Sequence, residues 1–281
     1  LMAGSASAAD LACLITKNNT NPFFVKMKEG AEAAATAAGM DFQAYAGEKD
    51  GDAAPQITAI ENCVAAGAKG ILITPSNDSV GPALKDARAA GILVIALDTP
   101  LADAEAQDMT FATDNFEAGL RIGKWAAAKM GDTSGAKIAM LDINKDNISV
   151  DVARDTGFLV GFGIEVPDLT VMGSETDARV VGHESSDANP EGGLRAMETL
   201  LAKDPDINVV YTINEPAAEG AYQALKNAGK EKQAIIVSVD GGCPGIASVK
   251  SGVIGATSQQ YPLLMASKGV EAIAAFAKDG T

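Results

Sequence analysis

Residues 11–30 read LACLITKNNTNPFFVKMKEG. The first five form an unbroken apolar run, the pattern of a strand buried on both faces. From Lys26 the alanines and charges take helical spacing, which predicts a helix over 26–38. Between strand and helix lie Asn18, Asn19, Asn21 and Pro22, then the adjacent Phe23 and Phe24. Amides and exposed-looking rings at the carboxyl end of a first strand are unusual in a plain connection. They read as one wall of a small-molecule site.

The alternation then repeats. Strands are expected at 40–46, 70–74 (GILIT), 93–97 (LVIAL) and 109–112, with helices over 54–66 and 80–90 that stop at Gly67 and Gly91. The rhythm restarts with helices over 116–130, 150–160, 191–203, 217–228, 246–250 and 265–278. Strands are expected at 137–141, 169–173, 208–212, 234–239 and 253–257. Such alternation implies parallel sheets covered by helices on both faces. The expected fold is therefore α/β, with two doubly wound parallel-sheet lobes joined by strands that cross over directly. Lobe one takes residues 10–113, with 261–281 returning to it; lobe two takes 114–260. No low-complexity linker separates them.

Composition narrows the function. Of 281 residues 47% are apolar, enough for a substantial core, and the net charge is −15. An acidic balance argues against nucleic acid, which is held largely by phosphate neutralisation, and against anionic membrane surfaces. No apolar run approaches the ~20 residues that span a bilayer. The chain opens LMAGSASAAD, in which Ala6-Ser7-Ala8 fits a signal-peptidase site. An exported protein keeping the tail of its signal peptide is the expectation. The ending at 278–281 is abrupt, as in a shortened chain. Cys13, Cys63 and Cys243 are widely spaced with no CxxC, so no metal site is expected. Cys13 reads as core, and Cys63 and Cys243 could pair.

In open parallel sheets ligands bind beyond the carboxyl ends of the strands, so the residues just after each strand matter. They are Asn21, Phe23 and Phe24; Thr74 and PSND; Asp98 and Thr99; Thr113, Asp114 and Asn115. The second series is Asp142 and the NKDN loop ending at Asn147; Asn214 and Glu215; Asp240; Gln259 and Gln260. Amides and carboxylates hold hydroxyl groups in a two-pronged manner, and phenyl rings suit the C–H face of a sugar. Helix capping explains any one of these residues, but not the phenylalanines or Gln260. A GxGxxG fingerprint, a P-loop and a GxSxG elbow are all missing. His183, the single histidine, reads as a surface or rim residue, Trp125 as packing, and Arg154 as a helix charge or a hydroxyl ligand.

At this point the residues carry a resemblance. NPFF (21–24), ITPSN (73–77), ALDTP (96–100), ATDN (112–115), ARDTGF (153–158), TINEPAAEGA (212–221), VDG (239–241) and ATSQQYP (256–262) together resemble the ribose- and fructose-type periplasmic sugar-binding proteins of ABC transporters, which have the type I solute-binding fold. The resemblance runs from about Asp10 to the end. The NKDN loop and GFGI at 161–164 look closer to the fructose-binding branch. It implies that Asn21, Phe23, Phe24 and Asp98 hold the sugar from one lobe, with Asn115, Arg154, Asn214, Asp240 and Gln260 acting from the other. Thr74, Thr99 and Asn147 join them from the strand-end pattern. Thr74 stands where ribose-binding relatives commonly have Asn, and Thr99 where arginine often follows the aspartate.

The resemblance further implies a monomeric, non-enzymatic protein of the periplasm with no cofactor. It would capture a monosaccharide such as fructose or a ribose-like sugar between closing lobes and deliver it to a membrane permease. The alternatives are a sugar-sensing protein for chemotaxis, which would share the site, and an enzyme on a doubly wound fold, for which no nucleophile and base are evident. A sugar-responsive repressor would need a helix-turn-helix before Leu11.

Overall fold

The computed structural model describes residues 9–280. The Ala6-Ser7-Ala8 pattern lies outside them. In chain order the elements are β1 (Leu11–Thr16), α1 (Pro22–Ala38), β2 (Asp41–Ala46), α2 (Ala54–Ala65), β3 (Gly70–Ile73), α3 (Gly81–Ala89), β4 (Leu93–Leu97) and β5 (Met109–Phe111). Then follow α4 (Asn115–Met130), β6 (Ile138–Asp142), α5 (Ser149–Phe162), β7 (Val180–Ser185), α6 (Pro190–Lys203), β8 (Val209–Thr212), α7 (Glu215–Asn227), β9 (Ile235–Asp240), α8 (Cys243–Ser251), β10 (Ala256–Gln259) and α9 (Pro262–Asp279).

The chain divides into two compact units. One runs to Ala112 and resumes at Tyr261; the other is Thr113–Gln260. In the first, five parallel strands lie in the order β2-β1-β3-β4-β5. All six residues of β1 are buried, as its unbroken apolar run requires. Alternation along the strand splits them. Cys13 and Ile15 pack with Ile60, Cys63 and Leu84 of α2 and α3. Ala12 and Leu14 pack with Met27 and Ala31 of α1 and with Ala266, Val270 and Ile273 of α9. Cys13 and Cys63 are joined in a disulfide, while Cys243 is free and exposed. The pairing of Cys63 with Cys243 is thus corrected. Cys63 sits on the buried face of α2, over the side of β1 that presents Cys13.

The second unit winds its five parallel strands the same way, β7-β6-β8-β9-β10. Helices α4 and α5 cover one face through Ile122, Phe158 and Phe162. Helices α6 and α7 cover the other through Met197, Leu200 and Leu225. The α4–α5 crossing is built on glycine. A Cβ on Gly119 or Gly123 would meet the carbonyl oxygen of Arg154 or Phe158 at 2.1 and 2.2 Å. One on Gly157 or Gly161 would meet that of Phe116 or Leu120, each at 2.2 Å.

One strand differs from expectation. Residues 169–173 form turns, and the edge strand is β7 at Val180–Ser185. Each residue of β7 is half-buried, so its sequence VVGHES lacks the apolar run that marks a central strand. Among the described residues no helix is long and apolar enough to cross a membrane.

Candidate functional site

Both sheets have doubly wound order, so each has a switch point: between β1 and β3 in the first unit, between β6 and β8 in the second. Ligands bind beyond the strand ends near such points. The polar residues are described one unit at a time.

In the first unit the loop after β1 is tied down by its own amides. Asn18 Oδ1 accepts from the Thr20 and Asn21 backbone N–H groups, and its Nδ2 donates to Asp50. Lys17, which sequence reasoning passed over, is buried with its ammonium 3.6 Å from Asp50. Burial raises the Asp50 pKa, and the Lys17 charge opposes the shift. Asn21 caps α1 by accepting from the Phe23 N–H at 2.9 Å. Phe23 and Phe24 meet edge to face at 5.3 Å. They are 7% and 5% exposed and belong to the core cluster of α1 and α9. The reading of two exposed rings is corrected: proline at the first helical position starts α1 early and turns both phenylalanines inward. Thr74 is buried, with its hydroxyl accepting from the Lys17 N–H at 3.0 Å. Gln56, also unremarked in the sequence, clasps the ends of β1 and β3 by donating to the carbonyls of Thr16 and Thr74 and accepting from the Ser76 N–H. Asp98 and Thr99 are buried together at the end of β4, Thr99 Oγ1 donating to Asp98 Oδ2 at 2.9 Å.

In the second unit Arg154 reaches back from α5. Its Nε donates to Asn115 Oδ1 at 2.7 Å and its Nη1 to the Ile213 carbonyl at 3.0 Å. Arg154 and Asn115 are both buried. Asn214 caps α7 by accepting from the Ala217 N–H, and its amide donates to the Ala188 carbonyl. Gln260 Nε2 donates to Asp240 Oδ1 at 2.9 Å, while its Oε1 accepts from Thr113. The structure therefore joins Arg154 to Asn115 and Asp240 to Gln260. It does not join Asn147 to either pair: that residue is exposed, and its Oδ1 accepts from the Met172 N–H at 3.1 Å.

Five described residues other than glycine have positive φ: Asp98 (65°), Asn147 (49°), Asp187 (51°), Ala188 (52°) and Asp240 (142°). Such strain is retained where surrounding structure imposes it, and it clusters at functional sites. Asp98 and Asp240 occupy matched places, each closing the fourth strand of its sheet in spatial order.

His183 departs from the rim residue expected. It lies on β7 with Nδ1 2.9 Å from Asp142 Oδ2 and 3.4 Å from Asp155 Oδ2, and Nε2 2.8 Å from Glu175 Oε1. Burial opposes its charge, but hydrogen bonds to Asp142 and Glu175 outweigh burial and push its pKa up to about 11. Burial, reinforced by the Asp142 charge, pushes the Asp151 and Asp155 carboxyls well above the usual range. Both imidazole nitrogens are thus engaged by carboxylates.

The comparisons with known proteins agree with this architecture. The family described as "Periplasmic binding protein domain" matches residues 12–281. The chain is 32% identical over 270 residues to the Ribose import binding protein RbsB of Haemophilus influenzae, covering 96% of this chain and 86% of that protein. It is 27% identical over 288 residues to the D-allose-binding periplasmic protein of Escherichia coli, covering 100% and 88%. The crystal structure of an ABC transporter solute-binding protein from Burkholderia multivorans superposes with a TM-score of 0.84 at 20% identity, covering 98% and 95%. That likeness carries the type I fold. With the two parallel sheets and these matches in agreement, the chain belongs to the periplasmic binding protein family, whose members bind solutes rather than transform them.

Proposed function

We propose that the protein is the solute-binding component of an ABC sugar importer. It works outside the cytoplasmic membrane, takes up one monosaccharide (fructose or a ribose-like sugar) and hands it to a membrane permease. The observation that carries this reading is the matched pair Asp98 and Asp240, two buried aspartates held at positive φ at equivalent strand ends. Thr99 bonds Asp98 in one unit; in the other Gln260 bonds Asp240, and Arg154 bonds Asn115. Charged, two-pronged groups of this kind suit vicinal hydroxyls. A sugar shared by both sets would favour whichever relative arrangement lets both engage it, and so would signal occupancy by shifting that equilibrium. The relatives named for ribose and D-allose support the substrate class, and the buried disulfide suits an oxidising compartment.

The test is a melting and calorimetric panel of fructose, ribose, allose, arabinose, xylose, glucose, galactose, fucose and inositol. At a hundredfold excess over Kd a ligand bound only by the native state adds about 2.7 kcal/mol. That raises the melting point by roughly 5–10 °C in a chain of this size. Asp98→Asn and Asp240→Asn keep the side-chain shape while removing the charge and should each weaken binding by about 10- to 100-fold, the worth of a charged hydrogen bond. Silence across the panel, with no heat and no melting shift, would overturn the proposal.

A further inference from the structure

We propose that Asp142, Asp155 and His183 form a site for one divalent transition-metal ion of the zinc class. The three come from separate elements: the end of β6, the middle of α5 and the edge strand β7. One donor atom from each lies within 4.8 Å of the others. The His183 Nδ1 separations of 2.9 Å from Asp142 and 3.4 Å from Asp155 are close to the ~3.4 Å edge of a tetrahedron built on metal–ligand bonds of about 2.1 Å. Admitting an ion requires the Asp142 contact to open by about half an ångström.

Two further observations point to a cation. Asp155 is wholly buried; its carboxyl faces the His183 imidazole at 3.4 Å and the Asp142 carboxyl, with no backbone or hydroxyl donor bonded to it, and the inner oxygen of Asp142 and the buried Tyr211 hydroxyl lack a hydrogen bond. Buried carboxylates without compensation are costly, and this cluster sets three of them, Asp142, Asp155 and Glu175, around one imidazole. The other side of the imidazole is also in place. His183 Nε2 lies 2.8 Å from Glu175 Oε1, the carboxylate that typically takes the second ring N–H of a metal-bound histidine and so turns the other nitrogen toward the ion. An imidazole ligand favours zinc and the later first-row transition metals over calcium or magnesium, which suit all-oxygen sites. Such an ion would pin α5 at Asp155, the residue after Arg154, and so brace the guanidinium that holds Asn115. Only that consequence rests on the sugar-binding reading.

The test needs no sugar. His183 is the only histidine in the chain, so one imidazole appears in the long-range proton–nitrogen NMR spectrum of chelator-treated wild-type protein. Added Zn2+ should bind at one equivalent and move the Nδ1 resonance to the metal-ligated range while Nε2 keeps its proton. Co2+ should give the visible absorption of a tetrahedral N/O site. His183→Gln and Asp155→Asn should each lower affinity at least tenfold. If either variant fails to fold, the wild-type imidazole spectrum still decides. An unchanged Nδ1 resonance under saturating Zn2+ and Co2+ would overturn the site and leave protons alone as the compensation of these carboxylates.

Discussion

Consider Gly157→Ala on α5. In an isolated helix alanine is favoured over glycine by about 1 kcal/mol. Here the added methyl would lie 2.2 Å from the Phe116 carbonyl oxygen and 3.1 Å from the Leu120 nitrogen. The atoms it meets are backbone, so no side chain can swing aside. The helices must part by about 0.8 Å before even the tightest tolerated contact is reached, and the dispersion contacts along the crossing weaken with them. Overpacking a rigid site costs about 1–3 kcal/mol. The separation also stretches the 2.7 Å bond from Arg154 on α5 to Asn115 on α4, a charged hydrogen bond worth about 1.5–3 kcal/mol. Net of the propensity gain, about 2–4 kcal/mol of stability should be lost, or roughly 5–10 °C in melting temperature. Urea titration should show a lower midpoint. Gly135→Ala is the control, since nothing lies within 4 Å of its Cβ and its φ is not positive; it should be neutral or slightly stabilising. If Gly157→Ala melts within a degree of wild type, the close crossing is not a constraint and the reasoning fails.

The disulfide should stabilise through the 50-residue separation it closes, by about 4 kcal/mol in the chain-entropy model. Cys63→Ala should lower the urea midpoint accordingly, whereas Cys243→Ser should leave it unchanged, and the reverse pattern would refute the pairing. Glu215 makes a pH prediction. Its carboxylate accepts from Gly241, Gly242 and Thr257, yet burial prevails over those bonds and raises its pKa. The native state therefore binds that proton more tightly than the unfolded chain. This contribution to stability is full below the unfolded value near 4.5 and is lost as pH rises through the higher folded value. Glu215→Gln should flatten that limb of the stability–pH curve, and an unchanged slope would refute the assignment.

Much of the fold is legible in the sequence because its signals are local. The runs LACLI, GILIT and LVIAL are buried on both faces, and only central parallel strands need such runs. The edge strand β7 escapes the same logic: half-buried throughout, it carries Gly182, His183 and Glu184 in place of an apolar run. The acid cluster was hidden for a related reason. Asp142, Asp155, Glu175 and His183 span more than forty residues with no fixed spacing, and only the β6–β7 register sets Met140 opposite His183 and Asp142 opposite Ser185. The disulfide partner is likewise a matter of which face of β1 meets α2, which spacing does not encode.

The strand-end amides show where sequence reasoning reaches its physical limit. An asparagine after a strand can cap the next helix or hold a ligand, and the letter is the same. Asn21 and Asn214 both cap: Oδ1 of each takes a helix N–H, and the Asn214 amide also binds the Ala188 carbonyl. Rebinding either to a sugar would release a helix end worth about 1 kcal/mol. Asp98 and Asp240 differ, because neither is the N-cap residue of the helix that follows it and each sits at a positive φ that costs free energy to hold. Positive φ at the corresponding strand end of each sheet is strain of the kind that functional sites retain. Recognition should therefore weigh on the two aspartates and on Arg154, with the asparagines shaping the edges between them. Asn214→Ala should accordingly cost more in stability than Asp240→Asn, while Asp240→Asn costs more in sugar affinity. Parallel losses in both measurements for both variants would show that capping and recognition cannot be separated here.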